Sequence, residues 1–502
     1  MAQFQIKNGV AIIPEGTTKF GSGAFKGCTS LTSITIPASV TEIGVAAFQD
    51  CTSLKSVTIS ESVTNIGSGA FKGCRLLDNI VVAEGNPKYD SREGCNAIIE
   101  TATNTLIAGC KATVIPESVT VIGRAAFSNY TRLKSIIIPE SVTEIKENAF
   151  EGCILLESIT IPESVTNIEW RAFGGCTSLE SITIPNSVTK IKGAFQDCTS
   201  LKSVTIPESV TEVEKYAFSG CSSLTSFTIP GSVTKIGWGV FIGCTSLEKI
   251  VVAEGNPVYD SREGCNAIIE TATNTLIAGC KATIIPESVT EIGYEAFEGC
   301  TSLKSIIIPN SVTEIEGNAF NGCTSLESIT IPESVTVNGV FVFKGCTRLK
   351  SIKIPESVTE IGYEAFEGCT SLESITIPES VTVIGKCAFS GCTSLQSITI
   401  TKSVTEIGEG AFYGCTSLES VAIDKGVKKI EWSAFGCCTS LTTVTLPAGV
   451  DKIEKNVFYN CRALATIYVP AKKADYYKKR LPEQLHDKIV ELAPEKKAKT
   501  KK

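Results

Sequence analysis

Cys28-Thr-Ser-Leu-Thr-Ser-Ile-Thr-Ile-Pro-Ala-Ser-Val-Thr-Glu-Ile-Gly-Val-Ala-Ala-Phe48 is one copy of a unit that the chain writes again and again. Its Phe recurs from Phe25 to Phe458 at a step of 23 residues. The step shortens to 22 between Phe173 and Phe195 and lengthens to 56 between Phe71 and Phe127 and between Phe241 and Phe297. A fixed period of this length marks a solenoid, in which each coil contacts only its neighbours and the core grows with the stack. Leu31, Ile34 and Ile36 point inward from a short strand, while Ser33 and Thr35 face solvent. Pro37, with no N–H for a neighbouring coil, ends that strand. Val40 and Ile43 belong to a second extended piece, and Gly44 is expected to permit a turn that other residues find costly. Ala47 and Phe48 close the core from a helical or 3-10 turn on the far side, and Cys51 re-enters the wall. One coil cannot bury these eight side chains alone, so the expected fold is a β-rich solenoid of about 18 coils.

The ends depart from the repeat. Residues 1–24 read as a degenerate N-terminal capping unit, with Phe20 in the Ile slot, and residues 25–470 as the solenoid. Residues 471–502 read as a helical C-terminal cap, two short amphipathic helices (471–481 and 483–492) around Pro482, followed by a basic disordered tail. Terminal units must differ in order to close an open core. The two long steps contain inserts near 81–120 and 251–290, which differ only at Lys88/Val258 and Val114/Ile284, the trace of a block duplication. In each, a hairpin is expected around a Thr-Ala-Thr-Asn turn. Centring that turn sets Cys95 opposite Cys110 and Cys265 opposite Cys280. Each pair either bridges or stays as two half-buried thiols, and a residue or two of register decides between them.

Sixteen of the 22 cysteines follow a repeat Phe by three residues. That spacing makes a column of parallel thiols, one per coil, whose Cβ vectors point the same way and so strain any bridge. Free cysteine behaves as a small buried hydrophobe, and an unbridged column fits a reducing compartment. No C-x-x-C occurs, and the single histidine, His486, lies in the terminal segment, away from the repeated Ser and Cys surfaces. There is no phosphate-binding loop, and the carboxylates, such as Glu42 and Glu144, recur at exposed positions. No catalytic, metal-binding or cofactor-binding residue is expected, and the chain does not read as an enzyme.

The net charge is −7, but residues 471–502 hold 11 Lys+Arg and 5 Asp+Glu, which leaves −13 on the body. An acidic body excludes nucleic acid as the natural partner, because phosphate contacts need a basic stripe. The N-terminus has no secretory signal, and no stretch approaches the roughly 20 apolar residues of a membrane helix. The chain reads as a monomer without a transmembrane segment.

Leu31, Ile34 and Ile36 follow the L-x-x-L-x-L spacing of a leucine-rich repeat. The run Pro-Glu-Ser-Val-Thr-Glu-Ile-Gly-Tyr-Glu-Ala-Phe-Glu-Gly-Cys-Thr-Ser-Leu (355–372) resembles the BspA-like leucine-rich repeat family of bacterial proteins. The inserts, with Gly-Asn-Pro-Lys-Tyr-Asp (85–90) and Gly-Asn-Pro-Val-Tyr-Asp (255–260), are similar to that family's variant unit. The resemblance spans roughly residues 10–470 and implies a leucine-rich repeat superhelix. It also implies a surface protein that binds host proteins, including matrix glycoproteins. The missing signal and sorting segments point instead to a cytoplasmic scaffold or sensor, so localisation stays open between the two.

A partner needs an anchor. The exposed strand face carries Ser and Thr with mixed charges and lacks the aromatic and Arg residues that dominate interfaces. The variable slot lies just before Ala-Phe. Trp170, Trp238 and Trp432 fall three residues before a repeat Phe, Tyr294 and Tyr363 share that slot, and Tyr216 lies beside it. A line of partly exposed aromatics makes a candidate binding ridge for a protein. The alternative, which the sequence favours, is that each ring lies over its neighbouring turn as extra cover.

Overall fold

The computed structural model describes residues 4–337, 339–454 and 456–493. These divide into two compact units, the first ending at Tyr259 and the second beginning at Asp260. Among the described residues the chain winds a β-solenoid of about 21 turns with very little helix. That exceeds the count taken from Phe because the inserts and the last segment add turns without a repeat Phe.

In the first unit most regular coils lay down two strands, and those through 135–139 and 158–162 only the second. Ser33–Thr35, Ser56–Ile59 and Asn79–Val82 pair in parallel with Ile34, Val57 and Ile80 in register. Lys19–Phe20, Glu42–Ile43 and Asn65–Ile66 do the same one face on, with Phe20 beside Ile43. Leu31, Ile34, Ile36, Val40, Ile43, Ala47, Phe48 and Cys51 are all no more than 4% exposed, so the eight inward positions read from the repeat are the core. The Phe rings stack flat: Phe25 on Phe48 at 4.9 Å, Phe48 on Phe71 at 5.1 Å, and again from Phe127 to Phe218.

The third side is built from turns. Gln49 N–H bonds the Ala46 carbonyl and Cys51 N–H the Phe48 carbonyl, the i→i+3 pattern of a 3-10 turn. The residues between them donate to the next coil instead: Ala46 to Ser68, Phe48 to Ala70 and Asp50 to Lys72. This alternation prevents a continuous helix, and it places Ala46 (φ 53°) and Asp50 (φ 58°) in the left-handed region. Gly44 therefore has a different role from the one expected. Its φ is ordinary, but a Cβ there would lie 2.7 Å from the Gly21 carbonyl carbon and the Ser22 nitrogen. Glycine at this place lets successive coils approach.

Each insert holds the expected hairpin. Ile98–Glu100 pairs antiparallel with Thr105–Ala108, Ile99 opposite Leu106 and Glu100 opposite Thr105. A bulge then sets Ile98 opposite Ala108, which breaks the register that would have faced Cys95 with Cys110. Both remain thiols, Cys95 Sγ turned to the Ala97 carbonyl and Cys110 Sγ to that of Asn96. The second unit repeats the bulge at Ile268, and Cys265 and Cys280 remain thiols as well. Thr105–Ala108 continues in parallel with Val121–Ile122, and Gly109 N–H bonds the Ala126 carbonyl as a repeat Phe would. A Cβ on Gly109 would run into the Phe127 ring.

In the second unit Phe297 to Phe458 form another ring stack, at 5.2 to 5.9 Å. Its closing segment differs in part from the two helices expected. Ala474–Lys478 is α-helical and Glu483–Lys488 a 3-10 helix, but Ile489–Glu491 is a strand parallel to Thr466–Val469. The β-branched Ile489 and Val490 find partners for their backbone on the open edge of the last coil. Tyr477 (0% exposed) and Leu481 (5%) pack on the core there. The basic tail, Glu495 to Lys502, lies outside the described residues.

Candidate functional site

Residues near the repeat Phe are aimed by the backbone described above. The position two residues before Phe is left-handed, as at Arg171 (φ 51°), Tyr216 (φ 57°), Glu364 (φ 52°) and Ser433 (φ 52°). The preceding side chain is thereby turned out of the wall, and that slot holds five of the six candidate ridge residues.

In the first unit the structure brings three of them together. Tyr216 meets Trp238 edge-on at 4.6 Å and Trp170 at 6.5 Å. The reach across two coils follows from the short step between Phe173 and Phe195, whose coil is one residue shorter between Ile191 and Phe195. Trp170 fills the space left there, and a Cβ on Gly193 would run into its indole. Trp170 is thus half-buried cover, whereas Trp238 is 40% exposed and carries Lys215 Nζ 5.0 Å from its ring centroid.

In the second unit Tyr294, Tyr363 and Trp432 follow at three-coil intervals, about 14 Å apart along the stack, too far for direct contact. Tyr294 Oη accepts a hydrogen bond from Asn318 Nδ2 at 3.0 Å. Tyr363 packs edge-on against Phe341 at 5.0 Å, and Lys344 Nζ lies 5.2 Å from the Phe341 centroid. Trp432 stands between Tyr413 and Tyr459, all three substantially exposed. Phe341, Tyr413 and Tyr459 extend the aromatic edge beyond the six residues expected from the sequence. Phe341 shares the offset of Tyr216, and Tyr413 and Tyr459 each follow a repeat Phe directly.

The strand face is also less uniform than its Ser/Thr pattern implied. Val114 and Ile137 in the first unit, and Ile284 and Ile307 in the second, are large exposed apolar side chains, of which Ile307 lies in a strand. The duplicated Ser-Ile-Ile-Ile-Pro sequence (135–139 and 305–309) was the available signal for Ile137 and Ile307.

The thiol column has a regular bonding pattern. Cys51 Sγ lies 3.0 Å from the Phe25 carbonyl oxygen, Cys74 Sγ 3.1 Å from that of Phe48, and Cys323 Sγ 3.2 Å from that of Phe297. Burial pushes Cys198 and Cys300 up to about 12, so these groups stay protonated donors rather than nucleophiles. Tyr130 replaces the cysteine where the first insert interrupts the column, and its hydroxyl reaches the Phe71 carbonyl at 3.3 Å. Only Cys387 and Cys437 are partly exposed. His486 Nε2 lies 3.0 Å from the Leu481 carbonyl oxygen. Among the described residues no cluster of three His, Cys, Asp or Glu side chains could hold a metal, and no helix is long and apolar enough to cross a membrane.

The family model described as the BspA type leucine rich repeat region (6 copies) matches residues 5–103, 107–194, 176–262, 277–394 and 359–479. No curated protein matches. Similar solved structures include a leucine-rich repeat protein from Bacteroides ovatus ATCC 8483, 28% identical over 92% of each chain, with a TM-score of 0.40. A leucine rich cell surface protein from Faecalibacterium prausnitzii A2-165 is 27% identical over 89% of each chain, TM-score 0.43. The pneumococcal vaccine antigen PcpA is 19% identical over 97% of this chain and 96% of its own, TM-score 0.45.

Proposed function

Because the chain belongs to the BspA-type leucine-rich repeat family, we propose that it is a non-enzymatic scaffold that binds another protein through the aromatic edge of its coils. The observation that carries this reading is the cluster of Trp170, Tyr216 and Trp238, with Trp238 open to solvent beside Lys215. Large aromatic side chains with a neighbouring cation are the groups that anchor protein interfaces. The partner is a host or matrix protein and the chain a surface adhesin, acting as a monomer. A second reading, a scaffold in a reducing compartment, is favoured by the column of buried, unbridged thiols.

Two experiments test these readings. Pull-downs from host-matrix and cell extracts with the wild-type chain and with Trp238→Ala, alone and combined with Trp170→Ala, should show weakened capture of the same partner. Capture unchanged in the double variant refutes the ridge. Protease shaving and thiol labelling of intact native cells separate the locations. Protection of the whole chain with reduced cysteines ends the adhesin reading.

A further inference from the structure

In the second unit the rings of Phe412, Phe435 and Phe458 stack at 5.2 and 5.9 Å. Tyr413 and Tyr459 directly follow the first and third of these, and Trp432 stands three residues before the second. The middle coil has Gly436 where its neighbours have tyrosine, and a Cβ there would lie 2.9 Å from Tyr413 Cδ2. The Tyr413 ring lies over that glycine, and beside it a groove of about 410 Å³ is lined by the three aromatic residues. Tyr413, Trp432 and Tyr459 are 41, 51 and 59% exposed, and among the described residues none of them packs on another ring or under a cation. Glu409 is the one formally charged side chain on the lining, and Cys387 stands on the same wall.

The chain fills comparable positions with its own cations. Lys215 caps Trp238, which occupies the same slot as Trp432, and Lys344 caps Phe341. At the C-terminal end Lys473 and Arg480 both lie over Tyr476. At the groove Lys386 is instead turned to the Glu409 carboxylate at 3.1 Å. Three exposed aromatic rings on one groove attract a cation, since each ring presents a negative face, and the Glu409 carboxylate beside them is shared with Lys386. An anion would meet Glu409 and the ring faces unfavourably.

We propose that the groove walled by Tyr413, Trp432 and Tyr459 binds an alkylammonium group. The group comes either from a lysine side chain, methylated or not, or from a small quaternary amine. The site stands whether or not the Trp170–Trp238 cluster binds a protein.

Cys387 provides a local reporter. Burial, with the Glu364 and Glu367 carboxylates, pushes its thiol up, so alkylation of the full chain by iodoacetamide is followed above neutral pH, peptide by peptide, by mass spectrometry. The probes are tetramethylammonium chloride, N-acetyl-lysine amide, 3,3-dimethylbutanol, whose tert-butyl group is the neutral isostere of a trimethylammonium group, and sodium chloride at matched ionic strength. The expected result is several-fold slower alkylation of Cys387 with at least one ammonium probe and no slowing with the isostere or the salt. Protection should vanish in Trp432→Ala and weaken in Tyr459→Ala, both exposed residues whose removal leaves the core intact. Stronger protection by tetramethylammonium assigns a small quaternary amine, and stronger protection by the lysine amide assigns a lysine side chain. Absence of protection by either cation, equal protection by the isostere, or protection that survives Trp432→Ala overturns the proposal.

Discussion

Tyr-Glu-Ala-Phe-Glu occurs at 294–298 and again at 363–367, and its first glutamate is shifted in opposite directions in the two copies. In the second copy the Glu364 carboxyl is held low despite its burial, first by its hydrogen bond with Glu367 and then by Lys344, which reaches between the two carboxylates. In the first copy no cation pairs with Glu295 or Glu298 among the described residues. Burial, and then the neighbouring Glu298 charge, push Glu295 up to about 7. An acid raised on folding binds its proton more tightly in the native state than in the unfolded one. Its favourable contribution is therefore complete below the ordinary value of 4.5 and is lost as pH rises through about 7. We expect the urea midpoint of the chain to fall across that interval, and Glu295→Gln to flatten the fall and to be more stable than wild type at its upper end. An unchanged pH profile in Glu295→Gln would rule this out. Identical pentapeptides give no sign of the difference, because it depends on which residue the preceding coil presents.

At the level of the coil, the shortened step between Phe173 and Phe195 shows how two elements adjust to each other. Gly193 has an ordinary backbone, so alanine there is excluded by Trp170 and not by conformation. Gly193→Ala should cost about 1–3 kcal/mol by overpacking. Combining it with Trp170→Ala should recover most of that loss, a coupling of at least about 1 kcal/mol in a double-mutant cycle followed by urea denaturation. Simple additivity of the two changes would mean that Trp170 does not lie over the short coil. The shortened step was legible as a single missing residue. The ring that takes up the space was not, since it comes from the coil before.

Across the whole chain, stability depends on closing the ends of each stack. Tyr477 and Leu481 cover the last core layer, Tyr476 Oη bonds the Val450 carbonyl at 2.6 Å, and Ile489–Glu491 pairs with the final strand. Removing everything after Pro470 should lower the denaturation midpoint of the chain and leave an open strand edge that associates with rising concentration. Tyr477→Ala alone should cost about 3–5 kcal/mol. A truncated chain with an unchanged midpoint and a monomeric elution volume would show that the segment is not a cap.

The 23-residue period by itself determined the solenoid, its inward residues, the Phe stack, the thiol column and the place of the inserts. Each of these depends only on what one coil offers to an identical neighbour. The tertiary structure alone decided that Gly44 serves close approach rather than a turn, and that a bulge moves Cys95 away from Cys110. It alone placed Trp170 over Gly193 and gathered Tyr413, Trp432 and Tyr459 around a groove. These features arise where consecutive coils differ, by a missing residue, an inserted strand or an absent side chain. Their geometry is then set by stacking distance and by left-handed backbone positions, which direct side chains across the coil boundary in a way that residue order does not record.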